Sequence, residues 1–357
     1  MKKLFVLAGT RPEIIKIAPL LRMCKKKESF QTLLCTSGQH DTLLRDTLAS
    51  QHLTPDRSFT VWGDLTGKTS ECMRRFDELL KKESPDAVAV HGDTLTAFAG
   101  AVAAFHRGVP VFHIEAGLRT QNAFSPFPEE FYRRAVDHLS TLHFAPTRRA
   151  KERLLAEGIP KDGIYTVGNT AIDALFDDID PRFTHPLLEN GKRLVLLTLH
   201  RRESTEVYSE ILKGIARALS PRDDVSLFFP MHPNPALRRA AREALEGISG
   251  ITLSEPVSPY LFHNLLSHAA LVLTDSGGVS EEAAALGTHT LLLREETERG
   301  EGVDAGVLHL VGRSPDTVAR IITDFLDFPR PRKPTFVFGD GKTSERIANI
   351  IERYFSL

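Results

Sequence analysis

Short apolar runs recur along the chain, each closed by a polar or glycine-bearing turn and followed by a stretch with helical spacing. This alternation constrains the fold more than any other feature. Residues 4–8 lead through Gly9-Thr10-Arg11-Pro12 into a helical stretch, 13–27, whose Ile14, Ile17, Leu20 and Leu21 share one face. Pro12 suits a first-turn position, and Pro19 is expected to bend that helix or break its ladder locally. Residues 32–36 end in Ser37-Gly38-Gln39-His40, 87–91 in Gly92-Asp93-Thr94, and 109–114 in Glu115-Ala116-Gly117-Leu118-Arg119. A proline-bearing loop, 120–128, precedes a helix from Glu129-Glu130 to about Ser140, and strands at 142–145 and 163–167 lead to Gly168-Asn169-Thr170. Parallel strands need such crossovers, so a parallel sheet is expected, with its ligand crevice outside the carboxyl ends of the strands.

The pattern resets at the polar stretch Asp177-Asp178-Ile179-Asp180-Pro181 and begins again. Residues 194–199 end in His200-Arg201-Arg202-Glu203, 226–230 in Met231-His232-Pro233-Asn234-Pro235, and 271–274 in Asp275-Ser276-Gly277-Gly278. With 357 residues, 41% of them hydrophobic, two cores are affordable. The expected fold is α/β with two Rossmann-like doubly wound domains, over 1–170 and 171–342, and the active site in the cleft between them. Residues 54–67, with the sole tryptophan at Trp62, read as irregular.

Charge and cysteine usage remove several function classes. There are 45 Lys+Arg against 46 Asp+Glu, so net charge indicates neither a nucleic-acid partner nor an anionic membrane surface. Cys24, Cys35 and Cys72 are widely spaced and odd in number, which fits neither a disulfide framework nor a zinc site and points to a reducing cytoplasm. The lysines and apolar run at 1–8 imitate a signal peptide, but the run is too short and lacks a cleavage site, so it reads as a first strand. No run approaches transmembrane length.

The stretch 271–301 carries the plainest ligand signal. Paired glycines after a strand allow close backbone approach, and the helix behind them, expected over 279–286, brings unpaired N–H donors and a positive dipole end. Phosphate is the natural guest. Glu281 and Glu282, read as first-turn residues, would cap the helix or reach a ribose hydroxyl, while Arg294 and Arg299 follow the next strand, 288–293, as a fork for a diphosphate. At the other strand ends Arg11 and Lys16 need an anionic partner. Asp93 is either a chemical carboxylate or a helix N-cap, and Glu129 either that or a dipole-favoured first-turn residue. Glu115 follows a buried strand, where a carboxylate is costly unless partnered. His200 has Glu203 as an alternative partner, and His232 a turn-shaping alternative.

Taken together these motifs resemble the non-hydrolysing UDP-N-acetylglucosamine 2-epimerases. The likeness runs nearly end to end: Gly9-Thr10-Arg11-Pro12-Glu13 with Lys16, Gly38-Gln39-His40, His91-Gly92-Asp93-Thr94, the run from His113-Ile114-Glu115 to Arg119-Thr120, Pro128-Glu129-Glu130, Gly168-Asn169-Thr170, His200 to Glu203, His232 to Pro235, Asp275 to Gly278 with Glu281-Glu282, and Thr297-Glu298-Arg299. The resemblance implies a glycosyltransferase-B-like fold, a last helix (343–357) crossing back onto the first domain, and a homodimer. It implies interconversion of UDP-GlcNAc and UDP-ManNAc through loss of UDP to 2-acetamidoglucal and its re-addition, needing no metal or redox cofactor. Asp93, Glu115 and Glu129 would be the acid–base carboxylates; His200 and Arg299 would stabilise the diphosphate, with Arg11, Lys16 and His232 in the same site. Ser276, Gly277 and Gly278 would hold phosphate and Glu282 the ribose.

The chain departs from the family pattern at Gly300 (usually proline), Tyr132 (commonly asparagine), Ser280 (frequently glutamine) and Leu199 (usually small). Some members bind a second UDP-GlcNAc as activator; Gln39, His40, Arg201 and His232 match that arrangement, Leu65-Thr66-Gly67 does not, and activation stays open. The rival readings are an epimerase acting on a related UDP-sugar such as a diacetamido uronic acid, a hydrolysing epimerase, a UDP-sugar glycosyltransferase, and a catalytically silent UDP-sugar-binding regulator.

Overall fold

The computed structural model describes residues 1–38, 42–120, 122–124, 126–199 and 207–357, the side chains of Thr42 and Leu43 excepted. Its strands are β1 (Lys2–Ala8), β2 (Phe30–Ser37), β3 (Arg57–Phe59), β4 (Ala87–His91), β5 (Val111–Ile114), β6 (Leu142–Ala145), β7 (Ile164–Thr166), β8 (Arg193–Thr198), β9 (Val225–Pro230), β10 (Ile251–Ser254), β11 (Leu271–Thr274), β12 (Thr290–Leu292) and β13 (Leu308–Leu310). They form a seven-stranded sheet, β3-β2-β1-β4-β5-β6-β7, and a six-stranded sheet, β10-β9-β8-β11-β12-β13, with every pairing parallel. Each is doubly wound: the order reverses between β1 and β4 in one and between β8 and β11 in the other, which are the points where such sheets open a ligand crevice.

The chain divides into two compact units, Met1–Ala174 with Gly339–Leu357, and Leu175–Phe338. In the first, successive residues of β1 serve opposite faces. Leu4, Val6 and Ala8 pack with Ile14, Ile17 and Ile347, while Phe5 and Leu7 pack with Cys72, Phe76 and Ala97. A strand covered by helices on both sides must be apolar at both parities, which is why it reads as a continuous run. The C-terminal helix Thr343–Ser356 belongs to this unit: the Asp173 carboxylate accepts from the amides of Thr343 (3.1 Å) and Ser344 (2.5 Å), and Tyr354 meets Phe112 edge-on at 5.0 Å. In the second unit Val195, Leu197, Leu227 and Leu273 pack under Ile211, Ile215 and Ile322.

Three local expectations need correction. Residues 54–67 are not irregular throughout: they contain β3, an edge strand pairing Arg57 with Cys35, and the start of the helix Leu65–Glu83, capped by the Asp64 carboxylate on the Gly67 amide at 2.8 Å. A three-residue, half-exposed edge strand lacks the continuous apolar run that marks the central strands. Pro19 sits inside one uninterrupted helix, Arg11–Lys25, because Ile17, Leu20 and Leu21 around it are fully buried and hold its course across the missing donor. The helix after the paired glycines begins at Gly277, so Glu281 and Glu282 lie in its second turn. Among the described residues no helix is long and apolar enough to cross a membrane, and all three cysteines are buried and free.

Candidate functional site

In the first unit the switch point is built by two helix starts. Thr10 caps Arg11–Lys25 in a reciprocal capping box with Glu13, and Thr94 caps the helix Leu95–His106 through the Ala97 amide at 3.1 Å. The capping alternative for Asp93 is thereby excluded. One buried carboxylate joins both caps: Glu13 Oε2 accepts from the amides of Gly9 (3.0 Å) and Thr10 (2.8 Å) and from Thr10 Oγ1 (2.8 Å), while Oε1 accepts from Thr94 Oγ1 at 2.8 Å. Burial pushes its pKa up to about 7 against the opposing pull of these hydrogen bonds.

Glu115 follows β5 with a left-handed backbone, φ 68°, a strained conformation for a residue with a Cβ. Its Oε1 receives Lys16 Nζ at 2.7 Å and Asn169 Nδ2 at 2.8 Å, and its Oε2 stands 3.8 Å from His91 Nδ1. Asn169 Oδ1 meanwhile accepts from the Ala171 amide at 3.0 Å, which settles the orientation of its amide. His91 is buried and donates to or accepts from Thr170 Oγ1 at 3.2 Å; burial drives its pKa down to about 3, so it is a neutral imidazole. Gly92 is needed here: a Cβ in its φ 65° conformation would stand 3.1 Å from Glu115 Oε2.

Asp93 pairs with Arg133, whose side chain is buried on the helix Glu129–Leu139. Glu129 opens that helix after Pro128, and neighbouring Glu130 is fully buried against Arg134 (2.8 Å) and the Thr120 amide (3.0 Å). Asp93, Glu115 and Glu129 together line a pocket of about 360 Å³ with Lys16, Glu13, His91 and Tyr132. Four carboxyl groups, one ammonium and one neutral imidazole around a common space are an acid–base constellation. Arg11 stands at the first position of its helix and is not among the lining residues. Tyr132, one of the departures from the family pattern, forms part of the wall and stacks on Phe98 at 4.7 Å.

In the second unit the turn after β11 is set by side chains below it. Thr274 Oγ1 accepts from the Ser276 amide at 2.9 Å and meets Thr198 Oγ1 at 2.6 Å; buried Asp275 accepts from Tyr208 OH at 2.9 Å. Ser276 caps the helix Gly277–Leu286 on the Val279 amide. The amides of Gly277 and Gly278 fall in the first turn, where no intrahelical acceptor exists. A Cβ on Gly277 would lie 2.5 Å from Arg299 Cζ, whereas one on Gly278 would meet nothing within 4 Å. The Arg299 guanidinium therefore lies flat against the glycine turn, held by Glu281 Oε1 at 2.7 Å and by Glu298, which also takes Arg294 at 2.8 Å. Ser280 turns its hydroxyl onto Gly277 O at 2.7 Å. Glu282 stands 3.7 Å from His263 Nε2. His232 Nδ1 accepts from the Asn234 amide at 3.2 Å, so it does shape its turn, and its proton sits on Nε2.

His200 lies outside the described residues, as do Gln39, His40, Arg201, Arg202 and Glu203. Thr198, two residues before His200, pairs with Thr274 at the head of the glycine turn. Sequence reasoning gave no role to Glu13, His91, Asn169 or Arg133. His91 and Asn169 follow the strand-end rule that found their neighbours, whereas Arg133 lies within a helix, where nothing local marks it.

Comparison with known proteins bears on this arrangement directly. The family model described as UDP-N-acetylglucosamine 2-epimerase matches residues 22–352. UDP-N-acetylglucosamine 2-epimerase of Bacillus subtilis (strain 168) is 41% identical, over 97% of this chain and 94% of its own. Among solved structures, the Staphylococcus aureus MnaA–UDP co-structure aligns with a TM-score of 0.95 at 37% identity, over 100% of this chain and 98% of that one. The Neisseria meningitidis UDP-GlcNAc 2-epimerase bound to UDP-GlcNAc aligns with a TM-score of 0.93 at 34% identity, over 99% and 100%. With the doubly wound sheets, the carboxylate pocket and the glycine turn, these matches show that the chain belongs to the UDP-N-acetylglucosamine 2-epimerase family.

Proposed function

We propose that this isomerase interconverts UDP-GlcNAc and UDP-ManNAc, the C2 chemistry falling to residues of the domain 1–170 and UDP binding to the domain 171–342. The observation that carries the reading is the convergence of Asp93, Glu115 and Glu129 on one pocket beside Lys16. The C2 hydrogen of the sugar is scarcely acidic, so its removal must be coupled to departure of UDP. A carboxylate takes the C2 proton as the C1–O bond breaks and its electron pair leaves with UDP, giving 2-acetamidoglucal. A second carboxylic acid then protonates C2 from the opposite face as UDP re-adds at C1.

Pairing with Lys16 and Asn169 orients Glu115, and pairing with Arg133 orients Asp93, so both carboxylates are held before substrate arrives. The leaving diphosphate gains charge as the bond breaks. Arg299, the amides of Gly277 and Gly278 and the Ser276 cap stabilise it, with His200, His232 and Arg11 completing the set and Glu282 on the ribose. A guanidinium carries five donors, so Arg299 serves an anion while keeping Glu281 and Glu298.

The experiment is incubation with UDP-GlcNAc in D₂O, followed by NMR of the sugar. UDP-ManNAc with deuterium at C2 of both epimers is expected. Free ManNAc with UDP would mean hydrolysis, and the absence of exchange would overturn the reading. A cytoplasmic homodimer is the assembly we favour: Phe105, Phe127 and Phe131 expose large rings on or beside two helices of the first unit that pack together, and light scattering tests it. Activation by a second UDP-GlcNAc, through Gln39, His40, Arg201 and His232, would appear as sigmoidal dependence of rate on that sugar nucleotide.

A further inference from the structure

Glu282 is not alone behind the glycine turn. His263 lies on the helix Pro259–His268, with its side chain 5% exposed, and it faces a carboxylate from each ring nitrogen: Nδ1 is 2.7 Å from Asp178 Oδ2, and Nε2 is 3.7 Å from Glu282 Oε1. The next residue, Asn264, is fully buried; its Nδ2 donates to Asp178 O at 2.7 Å and its Oδ1 accepts from the Asp180 amide at 2.8 Å. The 178–180 segment is thus fixed through its backbone by Asn264 and through its side chain by His263. A ring held in this way cannot turn, so Nε2 stays aimed at Glu282. Burial alone would strip the proton, but the Asp178 and Glu282 carboxylates outweigh it and push the pKa up to about 9, leaving a cation at neutral pH.

We infer that His263, clamped by Asp178, is a positioning residue that holds the Glu282 carboxylate in the orientation that accepts the ribose hydroxyls of the nucleotide. The inference rests on the reading of Glu282 as the ribose contact. A glutamate has several rotamers of similar energy, and one left to find its ligand-binding rotamer on its own weakens the contact it makes. One oxygen, Oε1, faces the imidazolium, and the other, Oε2, has no hydrogen-bond or ion-pair partner among the described residues.

The test is calorimetric titration of the full chain with UDP and with 2′,3′-dideoxy-UDP, which lacks the hydroxyls but keeps the base and diphosphate. The wild type should prefer UDP by about tenfold or more. That preference should collapse in Glu282→Gln and in His263→Phe, which keeps a ring of similar volume, and return in part in His263→Gln, which keeps a donor. Affinity for the dideoxy nucleotide should change little in any of them. A purely structural role for His263 would weaken both nucleotides alike and leave the ratio intact, which overturns the inference. Loss of the ratio in Glu282→Gln with its retention in both His263 variants rejects the positioning role alone; retention in Glu282→Gln rejects the ribose reading itself. Should the Phe variant not fold, Asp178→Asn with His263→Gln carries the same comparison: a lowered ratio supports the inference, and a wild-type ratio in both overturns it.

Discussion

Alanine at Gly278 separates the folding role of the glycine turn from its binding role. Gly278 is the second residue of its helix and has no left-handed backbone, and a Cβ there meets no protein atom within 4 Å. Folding therefore gains from the substitution, by up to about 1 kcal/mol, since alanine loses less backbone freedom than glycine on entering a helix. For a unit of this size that gain corresponds to roughly 2–4 °C in Tm. Binding should move the other way. The open space above Gly278 is where a phosphate must approach to reach the first-turn amides, and a methyl group there keeps it from van der Waals and hydrogen-bond range. Each charge-assisted hydrogen bond lost costs about 1.5–3 kcal/mol, so the Kd for UDP should rise roughly 10- to 100-fold per bond. Differential scanning fluorimetry without ligand and calorimetric titration with UDP measure the two effects separately. A variant that melts higher yet binds UDP as tightly as the parent would show that phosphate does not sit on this turn.

Gly277→Ala should also weaken UDP binding, but for another reason: its Cβ would strike the Arg299 guanidinium at 2.5 Å and displace it from Glu281, so a crystal structure of the variant should show Arg299 moved. Glu13→Gln should fold nearly as well as the parent, because an amide still accepts at one end and donates to Thr94 at the other. Glu13→Ala strands four donors and should cost about 3–5 kcal/mol in urea denaturation. Glu13 has its folded pKa raised to about 7 from 4.5, so the folded state binds the extra proton between those values. Its contribution to stability is full below about pH 4.5 and is lost as pH rises through 7, by on the order of 3 kcal/mol, and Glu13→Gln should remove that slope from a plot of stability against pH. Asn169→Asp places a second carboxylate against Glu115 Oε1 and should lower kcat by about 10²-fold or more while UDP affinity stays within a few-fold; unchanged turnover would remove Asn169 from the site. Asp93→Asn should bind UDP and turn over poorly, and a variant with wild-type kcat would take Asp93 out of the mechanism.

Much of the fold is legible because a strand buried on both faces has to be apolar throughout. Residues 4–8, 87–91 and 271–274 announce themselves in that way, and their glycine and charged turns mark the carboxyl ends where parallel sheets receive ligands. The short edge strand β3 escapes notice because half of it faces solvent and needs no apolar pattern. The start of the helix at Gly277 escapes for a different reason. Glycine propensity argues against a helical residue, while the Ser276 cap and the packing beneath Thr274 decide for one.

The sequence by itself determined the residue types and their order: carboxylates after β4 and β5, cations after β1, paired glycines after β11. Those follow from local rules, since strand ends and helix starts are set by neighbours in the chain. Only tertiary structure decided which charges neutralise which. Lys16 meets Glu115 across 99 positions, Arg133 meets Asp93 across 40, and Asp178, His263 and Glu282 come from three separate elements. A buried charge must be paired wherever its partner lies along the chain, and burial is a property of the packed sheet and helices rather than of any stretch of sequence.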